Sequence, residues 1–300
     1  MSINRRTFFR IALGAGLIPL TGGVGQLNAE SHCPDPISGF ICVPEFARTV
    51  LCTERGSGPA VILLHELPGM SPDDMQLARR IANQGFTVYL PLLFGEPGQN
   101  NPISGYFQSC AYGEFECSRN STSSPALKWL RTVRDQVINI SGKPIGIIGM
   151  CLTGVFPLAL LSDGVEAAVL CQPTLPFSLL FGQPIGRQKK DIGLDERDLE
   201  IAIRSSVSLL AMRYGSDKLS PPERMQALRG IFPERLAVIE IEHKRGHSTL
   251  AASFDKEAFT DTIRYLKVRL GAKHGPEPMD LAKFNGKRCE ITAEGNWRAL

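Results

Sequence analysis

The chain has 300 residues, of which 43% are hydrophobic and 21% charged, a balance that excludes a disordered, collagen-like or coiled-coil protein. The formal net charge is +3, and taking Arg5, Arg6 and Arg10 from the 33 basic residues leaves 30, equal to the 30 acidic residues. This neutral body lacks the basic surface that neutralises phosphates, so no nucleic-acid partner is expected.

Residues 1–29 have the order of a targeting segment, with positive charges first, an apolar stretch at 11–20 and small residues before Glu30. The apolar stretch is about half the ~20 residues that a membrane-spanning helix needs, so no stable span is expected. The run Asn4-Arg5-Arg6-Thr7-Phe8-Phe9-Arg10 resembles the twin-arginine signal of bacteria. That resemblance implies export of the folded protein by the twin-arginine machinery, cleavage after Ala29 and a periplasmic or secreted mature chain.

Eight cysteines are many for a cytosolic enzyme and fit an oxidising compartment. None forms a CxxC pair or a Cys/His ladder with zinc spacing, so no structural metal site is predicted. Six lie in a loop-like stretch or near the chain ends and are candidates for disulfides, whose pairing stays open: Cys33, Cys42, Cys52, Cys110, Cys117 and Cys289.

Between residues 50 and 270, short apolar runs alternate with helix signals. The runs predict strands at 59–64, 86–90, 144–149, 167–171, 207–214 and 236–241. The signals predict helices at 71–84, 126–137, 152–161, 195–205, 221–230 and 256–270. This alternation is typical of an α/β fold with a doubly wound, mainly parallel sheet flanked by helices.

The same pattern predicts one α/β domain at residues 50–270, an N-terminal extension at 30–49 and a C-terminal extension at 271–300 whose sequence fits an edge hairpin. Two long irregular connections, at 91–123 and 172–194, leave carboxyl ends of predicted strands. Open α/β sheets bind ligands at those ends, so we interpret both connections as binding loops or lids.

The motif Gly149-Met150-Cys151-Leu152-Thr153-Gly154 lies between an apolar strand and a predicted helix. It has the small-x-nucleophile-x-small form of a nucleophile elbow, with cysteine at the nucleophile position. Such a turn exposes the side chain at the top of the sheet and points backbone N–H groups toward it. Cys151 is therefore the predicted nucleophile, and a buried core cysteine is the alternative.

Asp217 and His247 each follow a predicted strand, which completes the order nucleophile, acid, histidine. His247 is the predicted general base and acid, and Asp217 the residue that holds its tautomer. His243 and His247 have the i, i+4 spacing of zinc ligands, but Gly246 and the nearby strand end disfavour the helix this pair needs. No metal and no cofactor is predicted.

Four motifs in this order resemble the dienelactone hydrolases of the α/β-hydrolase fold over about residues 50–270: His65-Glu66-Leu67-Pro68-Gly69, the elbow, Tyr214-Gly215-Ser216-Asp217 and Arg245-Gly246-His247-Ser248. The resemblance implies hydrolysis of a small ester or lactone through a Cys151–His247–Asp217 triad and a thioester. It also implies that Glu66 contacts the resting thiol and helps to deprotonate it. The backbone N–H groups of Leu67 and Leu152 would form the oxyanion hole.

Two arginines that hold the substrate carboxylate in the family have no counterpart at residues 92–98 or 248–252. We therefore expect a more apolar pocket around Phe94, Phe107, Pro173, Leu175, Pro176 and Phe177, and the alternative is that the aromatic residues among them form the core of a lid. Two other functions stay open: a non-catalytic ligand-binding homologue, and a thiol redox protein. The redox reading needs a resolving cysteine, and the nearest in sequence, Cys171, falls in a predicted strand.

Overall fold

The computed structural model describes residues 33–54, 56–67, 69–99, 124–174, 192–242 and 245–271, and the backbone of three strands between residues 282 and 299. The predicted leader, His243, Cys110, Cys117, Phe107 and residues 175–177 lie outside the described residues. No helix within the described ranges is long and apolar enough to cross a membrane.

Eight strands form the main sheet, in the order β1-β2-β4-β3-β5-β6-β7-β8. The strands are β1 Phe40–Cys42, β2 Val50–Thr53, β3 Ala60–Leu64, β4 Thr87–Pro91, β5 Ile145–Met150, β6 Val165–Cys171, β7 Leu209–Tyr214 and β8 Leu236–Ile241. Strands β3 to β8 pair in parallel, and β1 and β2 join antiparallel at one edge. The mainly parallel α/β sheet predicted from the sequence is confirmed.

Within the described part of the chain, six helices flank this sheet: α1 Pro72–Ala82, α2 Pro125–Ser141, α3 Phe156–Ala159, α4 Glu196–Arg204, α5 Pro222–Ile231 and α6 Lys256–Leu270. The side chains of Ser71 and Ser124 cap α1 and α2, each just before a proline at the first helical position, where a missing N–H costs nothing. Alternate strand residues face opposite layers: one core includes residues of α1 and α6, the other residues of α2 to α5.

The predicted continuous helix at 152–161 is wrong. A 3-10 turn spans Cys151–Thr153, and α3 covers only Phe156–Ala159. The Gly154 N–H closes the turn on the carbonyl oxygen of Cys151. Pro157 has no N–H to continue a hydrogen-bond ladder, so an α-helix starts only beyond the turn, with proline in its first turn.

The chain ends also differ from expectation. β1 lies inside the predicted N-terminal extension, where Cys33 and Cys42 form a disulfide, whereas Cys52 is a buried free thiol. The C-terminal extension forms a separate three-stranded antiparallel sheet rather than an edge hairpin, with β9 Ala282–Phe284, β10 Lys287–Ile291 and β11 Trp297–Ala299. The side chain of Cys289 lies outside the described residues.

Candidate active site

Cys151 is the first residue after β5 and has a φ of 52°, in the left-handed region that a non-glycine residue rarely adopts. The N–H of Thr174 donates to its carbonyl oxygen at 2.9 Å, which helps to hold this conformation. A Cβ atom at Gly149 would lie 2.1 Å from the Thr153 carbonyl oxygen, and one at Gly154 would lie 2.6 Å from Cα of Pro173. Only glycine fits at either position, as the elbow motif requires.

Thr153 fastens the elbow to the end of β3. Its hydroxyl accepts from the Met150 N–H at 3.0 Å and lies 3.2 and 3.3 Å from the carbonyl oxygens of Leu64 and His65. These carbonyls precede Glu66 and Leu67, and Leu152 lies beside Thr153 in the turn. Thr153 therefore links the two segments whose N–H groups are the predicted oxyanion hole, and the oxyanion hole itself stays a prediction.

His247 and Asp217 meet at the carboxyl ends of β7 and β8. Nδ1 of His247 lies 2.7 Å from Oδ2 of Asp217, and the Leu219 N–H donates to the other carboxylate oxygen at 2.9 Å. Asp217 is buried, so the carboxylate is shielded from water while both of its oxygens are satisfied. This pairing fixes the imidazole ring with its second nitrogen turned away from Asp217.

That second nitrogen, Nε2 of His247, is buried and has no hydrogen-bond partner among the described residues. Burial lowers the pKa of His247, but the hydrogen bond to Asp217 and the neighbouring Cys151 sulfur, whose negative charge as a thiolate favours the protonated ring, outweigh it and raise the pKa to about 10. His247 is therefore held as an imidazolium when Cys151 is a thiolate. Its free Nε2–H can donate a proton to a group held above Cys151.

Glu66 lies on the other side of the nucleophile. One nitrogen of His247, one carboxylate oxygen of Glu66 and the Cys151 sulfur all lie within 4.8 Å of one another. These three donors are of the types that bind zinc, but a metal ion would compete with the proton that the raised pKa of His247 favours on the ring. The same arrangement brings a carboxylate, a thiol and an imidazolium within reach of one reacting atom.

Polar partners hold the Glu66 carboxylate although it is almost fully buried. The Ser248 hydroxyl donates to Oε1, and the amide Nε2 of Gln172 donates to Oε2 at 3.1 Å. Burial raises the pKa of Glu66, and these two hydrogen bonds and the charge of His247 act in the opposite direction. The net effect is a raised pKa, so Glu66 holds a proton more tightly than an ordinary glutamate does, next to a thiol.

His65 shapes the segment that carries Glu66 and Leu67. Its Nε2 accepts from the Leu93 N–H at 3.0 Å, so Nδ1 carries the proton and donates to the Glu66 carbonyl oxygen at 3.2 Å. Burial lowers its pKa to about 4, so the ring is neutral at physiological pH. Phe94 packs edge-on against this ring at 4.7 Å between centroids. The predicted pocket residue Phe94 is therefore a buried support of the loop.

The structure brings Glu66, Cys151, Asp217 and His247 together at one edge of the sheet. Sequence reasoning missed three supporting residues, Thr153, Gln172 and Ser248. Each has a signal that could have found it: Thr153 lies inside the elbow, Gln172 directly follows a predicted strand, and Ser248 directly follows His247. Polar residues beside a strand end are where an α/β sheet presents its ligand-binding groups.

Comparisons with known proteins give a family match and similar solved structures. The model of the dienelactone hydrolase family matches residues 47–246, two thirds of the chain. A candidate dienelactone hydrolase from Klebsiella pneumoniae superposes with a TM-score of 0.55 at 16% identity, covering 78% of this chain and 97% of that one. An acylaminoacyl peptidase from Pyrococcus horikoshii superposes with a TM-score of 0.51 at 13% identity, covering 77% of this chain and 41% of that one.

At these identities the solved structures establish the α/β-hydrolase fold, and comparison with curated proteins finds no significant match. The family match spans the strands that precede Glu66, Cys151 and Asp217 and ends one residue before His247. The chain therefore belongs to the dienelactone hydrolase family and is a carboxylic ester hydrolase with the α/β-hydrolase fold.

Proposed function

We propose that the protein hydrolyses an uncharged ester or lactone of the enol-ester type through a Cys151–His247–Asp217 triad and a thioester intermediate. The observation that carries this proposal is the orientation of His247. Its Nδ1 is bonded to Asp217 at 2.7 Å, its Nε2 has no hydrogen-bond partner among the described residues, and one ring nitrogen lies within 4.8 Å of the Cys151 sulfur and a Glu66 oxygen. That is the arrangement a nucleophile, an acid–base group and an orienting carboxylate need.

In the acylation half, Glu66 accepts the thiol proton and the Cys151 sulfur forms a bond to the carbonyl carbon. The carbonyl oxygen becomes an oxyanion, which the N–H groups of Leu67 and Leu152 stabilise. The bond from that carbon to the leaving oxygen then breaks, and the leaving oxygen takes the proton from Nε2 of His247. The raised pKa of His247 supports this order, because it favours the protonated ring from which the leaving oxygen takes its proton.

In the deacylation half, neutral His247 removes a proton from water, and the resulting hydroxide attacks the thioester carbon. The carbon–sulfur bond breaks, the acid product leaves, and protonated Glu66 returns its proton to the Cys151 sulfur. The cycle ends with the starting set of one imidazolium, one carboxylate and one thiol. Asp217 stabilises the imidazolium each time it forms and is not itself protonated.

Two features support an uncharged substrate of the enol-ester type: the leaving ability of a thiolate and the uncharged residues in the two segments next to the site. A thiolate leaves more readily than an alkoxide, so the first tetrahedral intermediate reverts unless the substrate carries a good leaving group such as an enolate. The loop after β4 contributes Leu93 and Phe94, both buried, and the segment after His247 contributes Ser248 and Thr249, both buried and uncharged at neutral pH. Neither supplies a cation for a substrate carboxylate, which favours an uncharged acyl group.

The test is hydrolysis of a panel of enol esters, aryl esters and a dienelactone, comparing the mature protein with Cys151→Ala and with Cys52→Ala as the matched thiol control. We expect Cys151→Ala to abolish hydrolysis, Cys52→Ala, which removes a buried thiol outside the site, to retain it, and mass spectrometry to detect an acyl group on the Cys151 peptide of the wild type. A folded protein that cleaves no ester while Cys151 still alkylates would overturn the proposal and favour a binding or redox role.

The redox alternative is the weaker one on the described residues. Cys171 packs in the core layer of α1 and α6, whereas Cys151 belongs to the opposite core layer. Cys171 is fully buried and bonds to Thr249, and burial raises its pKa far above the ordinary value, so it is a poor group for resolving an oxidised Cys151.

We also propose that residues 1–29 direct export by the twin-arginine machinery, so that the mature chain works in the periplasm or outside the cell. The Cys33–Cys42 disulfide supports an oxidising compartment. Replacing Arg5 and Arg6 together by lysine should keep the precursor in the cytoplasm. Export of that variant at the wild-type level, or a mature protein that still begins at Met1, would contradict the proposal.

A further inference from the structure

Gln172 occupies a backbone conformation that its side chain does not favour. Its φ is 32°, in the left-handed region, and the residue is fully buried. The N–H of Gln172 donates to the Met212 carbonyl oxygen at 2.7 Å, and the Thr174 hydroxyl donates to the Gln172 carbonyl oxygen at 3.0 Å. A conformation of this kind persists only where the surroundings fix it, and it clusters at functional sites.

The side-chain amide of Gln172 joins two loops. Its Oε1 accepts from the Thr249 N–H at 3.2 Å and from the Thr249 hydroxyl at 2.6 Å, and its Nε2 donates to Glu66 at 3.1 Å. The orientation of the amide is determined, because two donors face the oxygen and a carboxylate faces the nitrogen. The amide therefore connects the end of β3, through Glu66, to the loop that carries His247.

We infer that Gln172 is a positioning residue of the hydrolytic reaction, which holds the Glu66 carboxylate beside Cys151 and ties it to the His247 loop. This inference rests on the proposed role of Glu66 as the acceptor of the thiol proton. Gln172 contacts Glu66 rather than the nucleophile, so it acts through that carboxylate. A buried acceptor that must take and return a proton in every cycle needs a fixed position in both charge states.

The Gln172 amide, which forms a bridge between Glu66 and Thr249, also affects the pH at which Glu66 is a carboxylate that can accept a proton. The titratable groups that act on Glu66 or respond to it come from four different segments: Cys151, Cys171, Asp73, Asp74 and His247. Against this background, the hydrogen bond from Gln172 lowers the pKa of Glu66. Losing the bond removes that lowering, so Glu66 becomes a carboxylate only at a higher pH.

The test compares Gln172→Leu, Thr249→Val and Thr249→Ser with the wild type, and uses Thr262→Val as a matched structural control. Thr262 is buried in α6 and its hydroxyl donates to the Ala258 carbonyl oxygen at 2.8 Å, away from the site. We expect Gln172→Leu to lower kcat at least tenfold with little change in KM, and to move the acid limb of the kcat/KM profile to higher pH. Thr249→Val should move it less in the same direction, and Thr249→Ser should restore it.

Thr262→Val should lower the melting temperature without moving the pH profile. If Gln172→Leu changes only the melting temperature, as this control does, Gln172 is a structural residue and the inference is wrong. If Gln172→Leu does not fold, Gln172→Met decides in its place, because its side chain has nearly the same length and likewise lacks the amide that donates to Glu66. An unmoved profile in a folded Gln172→Met would then overturn the inference.

A readout without turnover separates this inference from the proposed function. The rate at which iodoacetamide modifies Cys151 is measured against pH by peptide mass spectrometry in the same variants. A shift of this profile to higher pH in Gln172→Leu supports the bridge even if the wild type cleaves no ester, a result that would overturn only the proposed function. An active wild type with identical alkylation and kcat/KM profiles in both proteins would overturn only the bridge.

Discussion

The guanidinium group of Arg213 donates from Nη2 to the main-chain carbonyl oxygen of Asp217 at 3.0 Å, so a buried cation holds the turn that presents the acid to His247. The same group donates to the carbonyl oxygens of Gly215 at 3.0 Å and Ser220 at 2.6 Å. Its charge is paired with Glu240 on the neighbouring strand β8. Three carbonyl oxygens of one short loop thus converge on one side chain.

Replacing Arg213 should loosen the loop that carries Asp217 and leave the Glu240 carboxylate without its cation. We expect Arg213→Met to lower the free energy of unfolding by about 3 kcal/mol, because it leaves Glu240 and several carbonyl oxygens without their donor. Pairing it with Glu240→Gln should recover part of that loss. Urea unfolding of both variants measures the effect, and a cost below about 0.5 kcal/mol for Arg213→Met would contradict the role assigned to it.

Asp217→Asn should leave the loop folded but invert the preferred tautomer of His247. We expect kcat to fall by about 10²–10⁴, as in hydrolases where an asparagine replaces the orienting acid. The pKa of His247 should fall from about 10, because the carboxylate that raises it is gone. Titration of the imidazole by NMR checks this, and an unchanged midpoint would show that Asp217 does not control His247.

The raised pKa of His247 also makes the free energy of unfolding depend on pH. The folded pKa of His247 is raised above the ordinary value of 6.5, so its contribution to stability is complete below pH 6.5 and is lost as the pH rises toward 10. The difference in unfolding free energy between wild type and Asp217→Asn should therefore shrink over this window. A difference that stays constant from pH 6.5 to 10 would rule out the linkage.

Titration of His65 should reduce stability as the pH falls, whereas titration of His247 reduces it as the pH rises. Its folded pKa of about 4 lies below 6.5, so the unfolded chain binds a proton first and stability is lost as the pH falls from 6.5 toward 4. The loss should reach about 3 kcal/mol at the acid end. Urea unfolding at several pH values should show a weaker slope in His65→Asn, since that variant has no imidazole to protonate.

The buried thiols should differ sharply in reactivity. Burial raises the pKa of Cys52 to about 11 and that of Cys171 still further, and both side chains are enclosed by the core. Iodoacetamide should therefore modify Cys151 in the native protein about a hundredfold faster than either of them. Peptide mapping after a short exposure checks the order, and equal rates without denaturant would show that the core opens or that Cys151 is not accessible.

Much of this architecture could be read from hydrophobic patterning. Continuous apolar runs such as Ala60–Leu64 can only be strands buried on both faces, and the serine–proline pairs before α1 and α2 are direct helix-start signals. The four motif residues follow strand ends, so the parallel sheet itself brings them to one edge. This part of the site could be predicted because topology, rather than side-chain detail, determines it.

The rest depended on contacts that patterning does not contain. Arg213 lies within an apolar strand and would be expected at a solvent-facing position, yet its partners come from a loop and from β8. The predicted helix after Cys151 failed because local propensity cannot weigh the demands of the elbow turn against those of a regular helix. The two short edge strands were missed because three or four residues carry too little periodicity to be recognised.

The disulfide near the start of the described chain has a consequence for how the sheet is protected. The family match begins at residue 47, but the sheet begins at Phe40, where β1 covers the outer edge of β2. An uncovered strand edge is a template for pairing with another chain. The Cys33–Cys42 bond joins this covering strand to the segment before it, which limits how far the strand can separate from β2. Reduction of the bond should therefore loosen β1, and a molecule that loses β1 exposes the edge of β2 to pairing with another chain.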